Sequence, residues 1–134
     1  MLPQPPNGFN SVRVLVVDDY APVADHLAKV LCDKGCKALA VYSGIEALRA
    51  GEQFSPHALI ADVMMPGMNG AELVCAFAER FPACRAVLMT ANQWAPEICI
   101  DGSRIKVLQK PFEIEEIFLF LASAIRESQE SVLL

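Results

Sequence analysis

No part of this sequence gathers Lys and Arg into a basic stripe. Its 11 basic and 16 acidic side chains leave a net charge of -5 and a pI near 4.9, a balance that argues against any chain-wide electrostatic grip on nucleic acid. No run is apolar enough for long enough to span a bilayer, so no membrane contact is expected. The start of the chain lacks the charged residue and apolar run of a secretory signal. Pro3, Pro5 and Pro6 instead mark positions 1–11 as a flexible N-terminal tail. Cys32, Cys36, Cys75, Cys84 and Cys99 contain no Cys-x-x-Cys spacing. An odd set of cysteines within apolar segments reads as reduced thiols in a cytoplasmic setting, not as a disulfide framework or a zinc site. The two histidines, His26 and His57, read as structural or solvated.

What is present fits one compact domain, since 134 residues suffice to bury a core and are too few for two ordinary domains. Short β-branched runs alternate with longer helix-period runs, the pattern of a doubly wound parallel α/β sheet with helices on both faces. Five strands are predicted, at 12–17, 37–42, 58–61, 85–89 and 104–109. The first helix follows Pro22 with Val23, Leu27, Val30 and Leu31 at helical spacing and stops at Gly35. Ser43 and Glu46 form a predicted capping box, and Asn69 with Glu72 opens the third helix. Ala95 to Ile100 is predicted to make a brief helix before the Asp101-Gly102 turn. The last helix runs from Glu113 to about Glu127, which bounds the domain at 12–127 and leaves 128–134 as a C-terminal tail.

In such a sheet, ligands collect at the carboxyl ends of the strands. Strand one ends in Asp18-Asp19, strand three in Asp62, strand four in Thr90 and strand five in Lys110-Pro111. Like charges about 4 Å apart repel by roughly 4 kcal/mol at a surface-like dielectric, so three gathered carboxylates call for cations. Lys110 supplies one charge and a divalent metal two, which brings the cluster close to neutral. Oxygen donors alone favour Mg2+, with Mn2+ also suitable, over Zn2+. A hard cation beside an ammonium group suits a phosphoryl group, and a carboxylate can attack phosphorus to form an acyl phosphate. Asp62 is the central candidate nucleophile.

The segments VLVVDD, ADVMMPGMNG, VLMTAN and VLQKPF, in this order and at strand ends, resemble the receiver domain of bacterial response regulators. The resemblance covers about Ser11 to Glu127. It implies a flavodoxin-like sheet in the order 2-1-3-4-5, with Asp62 as phosphoacceptor, Asp19 as a direct Mg2+ ligand and Asp18 acting mainly through water. It further implies that Met64 lends the metal its backbone carbonyl, and that Thr90 and Lys110 contact the phosphoryl group. A cis bond between Lys110 and Pro111 is also implied. The partners implied are a histidine kinase or histidine phosphotransfer protein as donor and a downstream protein as target. On this reading the chain is a signalling switch in a two-component phosphorelay, not a conventional enzyme, although it assists its own phosphorylation and dephosphorylation. With no output segment following Glu127, it reads as a regulator that acts by protein contact.

Two departures from the family pattern bear on readout. Val107 stands where many receivers carry an aromatic residue that turns inward on activation, and the stretch from Thr90 to Lys110 is short. In the last helix Phe118, Leu119 and Phe120 widen the apolar face beyond the stripe of Ile114, Ile117, Leu121 and Ile125, which suggests a homodimer or partner interface through the last strand and helix. The alternatives are a degenerate receiver working without phosphorylation, an aspartate-nucleophile phosphatase and a flavodoxin-type electron carrier. The phosphatase usually needs Asp-x-Asp where this chain has adjacent acids. The electron carrier needs a glycine- and hydroxyl-rich loop where this chain has Asp18-Asp19-Tyr20-Ala21-Pro22.

Overall fold

The computed structural model describes residues 11–92, 96–100 and 102–133, with side chains as far as 124. The predicted N-terminal tail up to residue 10, the side chain of Ile125 and Leu134 therefore lie outside the described residues, while the backbone of 128–133, expected as a tail beyond a helix ending near Glu127, continues the last helix. Five parallel strands, β1 (Arg13–Val17), β2 (Lys37–Val41), β3 (Ala58–Asp62), β4 (Arg85–Thr90) and β6 (Ser103–Gln109), run in the order β2-β1-β3-β4-β6. This is the doubly wound arrangement expected from the sequence. A sixth strand, β5 (Glu97–Ile100), adds antiparallel to β6 and becomes the outer edge.

β5 corrects the expectation of a brief helix at Ala95–Ile100. Ile98 and Ile100 are half-buried while Glu97 and Cys99 are exposed, a period-2 pattern that a helix would break. Ile100 pairs with Ser103 where the two strands turn back on each other, and Asp101 lies outside the described residues. Gly102 takes a φ of +79°, a conformation that costs a glycine little. One connection of the α/β pattern is thus a strand, and four helices remain among the described residues.

α1 (Ala21–Asp33) and α4 (Ile114–Leu133) cover one face of the sheet, and α2 (Gly44–Phe54) and α3 (Gly70–Arg80) the other. Val14, Val16, Ile60, Val87, Met89 and Leu108 face the first pair, while Leu15, Leu59, Leu88 and Val107 face the second. Burial on both faces explains why the strands read as continuous apolar runs. α3 begins with the full reciprocal cap, in which Asn69 accepts from the Glu72 N–H and Glu72 from the Asn69 N–H. At α2 only half of the expected box forms. Ser43 accepts from the Glu46 N–H, while the Glu46 carboxylate accepts from the N–H of Tyr42 instead of Ser43. In α4, Ile117, Phe118 and Leu121 are buried and Ile114 and Phe120 half-buried against the core, leaving Leu119 exposed at 48%. Most of that helix's apolar excess is spent inside the fold.

Candidate functional site

Each parallel strand needed for the site stops at its carboxyl end in the expected polar residue. β1 leads into Asp18, buried at 1%, whose Oδ1 accepts from the Tyr20 N–H at 3.0 Å and whose Oδ2 accepts from Lys110 Nζ at 2.7 Å. β3 ends in Asp62, whose Oδ2 lies 3.3 Å from the same Lys110 Nζ and whose Oδ1 lies 3.3 Å from the Met64 N–H. The Lys110–Pro111 peptide is cis. β4 ends in fully buried Thr90, whose Oγ1 accepts from the Asn92 N–H at 3.1 Å. The Thr90 carbonyl accepts from the Lys110 N–H at 2.7 Å, which ties the ends of β4 and β6 together.

Asp19 is exposed beside these groups. One carboxylate oxygen from each of Asp18, Asp19 and Asp62 falls within 4.8 Å of the others, so all three acids named from sequence converge. Burial pushes the Asp62 carboxyl above the usual carboxylate range. The Lys110 ammonium opposes that rise and Asp18 reinforces it, and the net direction is upward. Burial alone would lower the Lys110 pKa, but its bonds to Asp18 and Asp62 outweigh burial and hold it above its ordinary value. A single ammonium therefore leaves the acids undercompensated. An all-oxygen donor set of this kind fits a hard divalent cation.

Gly70, which sequence reading treated only as part of a helix start, proves essential to this geometry. A Cβ placed there would come within 2.3 Å of the Asp62 carbonyl oxygen and 2.9 Å of a Leu88 methyl, and the Gly70 N–H donates to the Val63 carbonyl at 3.0 Å. The helix thus seats directly on the end of β3. The signals in the sequence were a glycine directly after the capping Asn69 and its place at the end of the ADVMMPGMNG segment. Met64 is exposed at 59% on the rim of the site.

Residues 14–122 match the family described as the response regulator receiver domain. This chain belongs to that receiver family. Among curated relatives, the response regulator MprA of Mycobacterium ulcerans is 31% identical over 121 residues, covering 89% of this chain and 52% of the relative. The DNA-binding response regulator MtrA of Mycobacterium tuberculosis is 28% identical over 120 residues, covering 88% and 52%. The receiver chain thus spans about half the length of the curated relatives it matches. Among solved structures, the response regulator TrrA of Thermotoga maritima, in complex with Mg2+ and BeF, matches with a TM-score of 0.73 at 23% identity over 84% of this chain and 97% of that one. TrrA has also been solved in complex with the histidine kinase ThkA. At that identity the likeness shows the fold alone. Among the described residues no helix is long and apolar enough to cross a membrane.

Proposed function

We propose that this chain is a phosphorylation-dependent switch in the cytoplasm, with Asp62 accepting a phosphoryl group from a histidine kinase or histidine phosphotransfer protein. The observation that carries the reading is the single contact cluster in which Lys110 Nζ bridges Asp18 and Asp62 while Asp19 completes a set of three carboxylates within 4.8 Å. Bound Mg2+ would neutralise charge on the transferring group. Asp19, exposed, offers a direct ligand oxygen; Asp18, engaged by Lys110 and the Tyr20 N–H, acts mainly through water. The Met64 backbone carbonyl is assigned as a further ligand.

In the transfer, an Asp62 carboxylate oxygen forms a bond to phosphorus as the bond from phosphorus to the donor nitrogen breaks, and the leaving imidazole recovers a proton. Lys110 and the Thr90 hydroxyl hold the phosphoryl oxygens. The apolar groove of about 500 Å³ between α1 and the Pro111-Phe112 turn opens beside Lys110 and is assigned to the donor protein. Receiver boundaries are placed at 12–127. A downstream protein is assigned to the last helix, around exposed Leu119. No nucleic-acid contact is assigned to these 134 residues, and the DNA binding in the name of MtrA is a statement about that longer relative.

The test is incubation with Mg2+ and a small acyl phosphate, followed by intact-mass measurement. Wild type is expected to gain one phosphoryl group, and Asp62→Asn none. Equal yields on both chains would move the acceptor elsewhere. No adduct on wild type would favour a receiver that works without phosphorylation, the reading suggested by Val107 where an aromatic is usual.

A further inference from the structure

The strand β5 changes which surface of this receiver is open. β6 is paired on both sides, to β4 and to β5, so the free backbone edge belongs to β5. Among the described residues nothing pairs with it. The Val107 N–H donates to the Pro96 carbonyl at 2.7 Å. This fixes the phase of the antiparallel ladder. Ile98 with Ile105 and Ile100 with Ser103 exchange the inward bonds, and the N–H and C=O groups of Glu97 and Cys99 point away from β6. Native edges are often blunted by Lys, Pro, a bulge or mere shortness; Glu-Ile-Cys-Ile has no Lys, Pro or bulge, and its shortness and the single charge of Glu97 limit the strength of any pairing rather than its register.

We propose that this edge is a self-association surface, on which a second copy of the chain adds its own β5 antiparallel about a two-fold axis at Ile98. Glu97 and Cys99 each carry one donor and one acceptor, and in that register Glu97 of either copy exchanges both bonds with Cys99 of the other. Every outward group is paired by a residue of the same segment, the self-complementarity that an isologous interface requires.

The side chains agree with this register. On the α2/α3 face Ile98, half-buried against the core cluster, meets its symmetry mate in a close non-hydrogen-bonded pair. On the other face Glu97 already lies opposite Lys106, and Cys99 opposite Arg104. Pairing sets Glu97 against the small Cys99 of the second copy, with that copy's Arg104 next in the row, so each acid gains a second base. A four-residue strand buries less than a standard interface, so the dimer is weak, with a dissociation constant on the order of 100 μM.

Sedimentation equilibrium under reductant, from about 10 μM to about 1 mM and without phosphoryl donor or Mg2+, tests this independently of phosphoryl transfer. Wild type is expected to shift from monomer to dimer across the range. Cys99→Pro removes an outward N–H without touching an inward bond and is expected to weaken association at least about tenfold. Glu97→Lys, which replaces an acid between two bases with a third base, is expected to weaken it as well. Circular dichroism checks folding, and if Cys99→Pro fails to fold, Glu97→Lys decides. A wild type that stays monomeric, or association unchanged in a folded edge variant, overturns the proposal. Loss on Leu119→Glu with both edge variants still dimeric also overturns it and assigns the contact to α4.

Discussion

The two ends of the parallel strands meet the same problem, exposed backbone and charge, with opposite solutions. At the amino-terminal end His57 stitches three strands. Its N–H donates to the Arg13 carbonyl at 2.8 Å, its Nδ1 accepts from the Arg13 N–H at 3.0 Å, and its carbonyl accepts from the Arg85 N–H at 3.0 Å. Burial, aided by the Arg13 charge, lowers the His57 pKa and keeps the ring a neutral acceptor. At the carboxyl end the charges are left unbalanced, with Asp62 pushed upward and one ammonium shared between two acids. The first end is complete in itself; the second gathers three carboxylates around one ammonium. Satisfied backbone and uncompensated charge thus lie at opposite rims of one sheet.

The sharpest way to break that contrast is Gly70→Ala. The added methyl would force the seam between β3 and α3 apart, and a loss of about 1–3 kcal/mol is expected, read as a lower urea midpoint with an unchanged slope. No loss would mean that the acidic end is not rigidly seated.

Next in size is the difference between the acids. Asp19→Ala is expected to weaken Mg2+ binding much more than Asp18→Ala in a metal titration, because Asp18 is already engaged by Lys110 and the Tyr20 N–H. Equal, negligible effects would remove the ligand assignment.

The smallest effect belongs to the self-contained end. The His57 pKa is lowered from 6.5 on folding, so the unfolded chain binds the extra proton first. The contribution of His57 is whole above about pH 6.5 and is lost as pH falls through the folded value. His57→Asn keeps an acceptor at the same position and removes the proton site. Urea melts at neutral and mildly acidic pH should show a shallower decline in the variant, and parallel declines would mean that other groups set the acid sensitivity.

Much of this was legible because the strands are regular. Apolar runs buried on both faces end abruptly in Asp18, Asp62, Thr90 and Lys110, and the winding of the sheet brings such ends to one edge. β5 was not legible in the same way. A short run such as Ile98-Cys99-Ile100 fits a helix turn or a strand equally well, and tertiary pairing with β6 decided it. The role of Gly70 was hidden because close approach to the Asp62 carbonyl is a fact of packing, with no local pattern to announce it. Nor does sequence tell which acid Lys110 prefers. Its shorter bond is to Asp18 and its longer one to Asp62, which leaves the proposed acceptor the less encumbered of the pair.

Thr90 and Lys110 are rungs of the same ladder, joined carbonyl to amide across the ends of β4 and β6. The bond fixes the spacing between the two strand ends that carry the hydroxyl and the ammonium. From that bond an unbroken run of paired backbone leads through β6 to β5, so the acidic rim and the outer margin of the sheet are joined by main chain, with Val107 rather than an aromatic on the way.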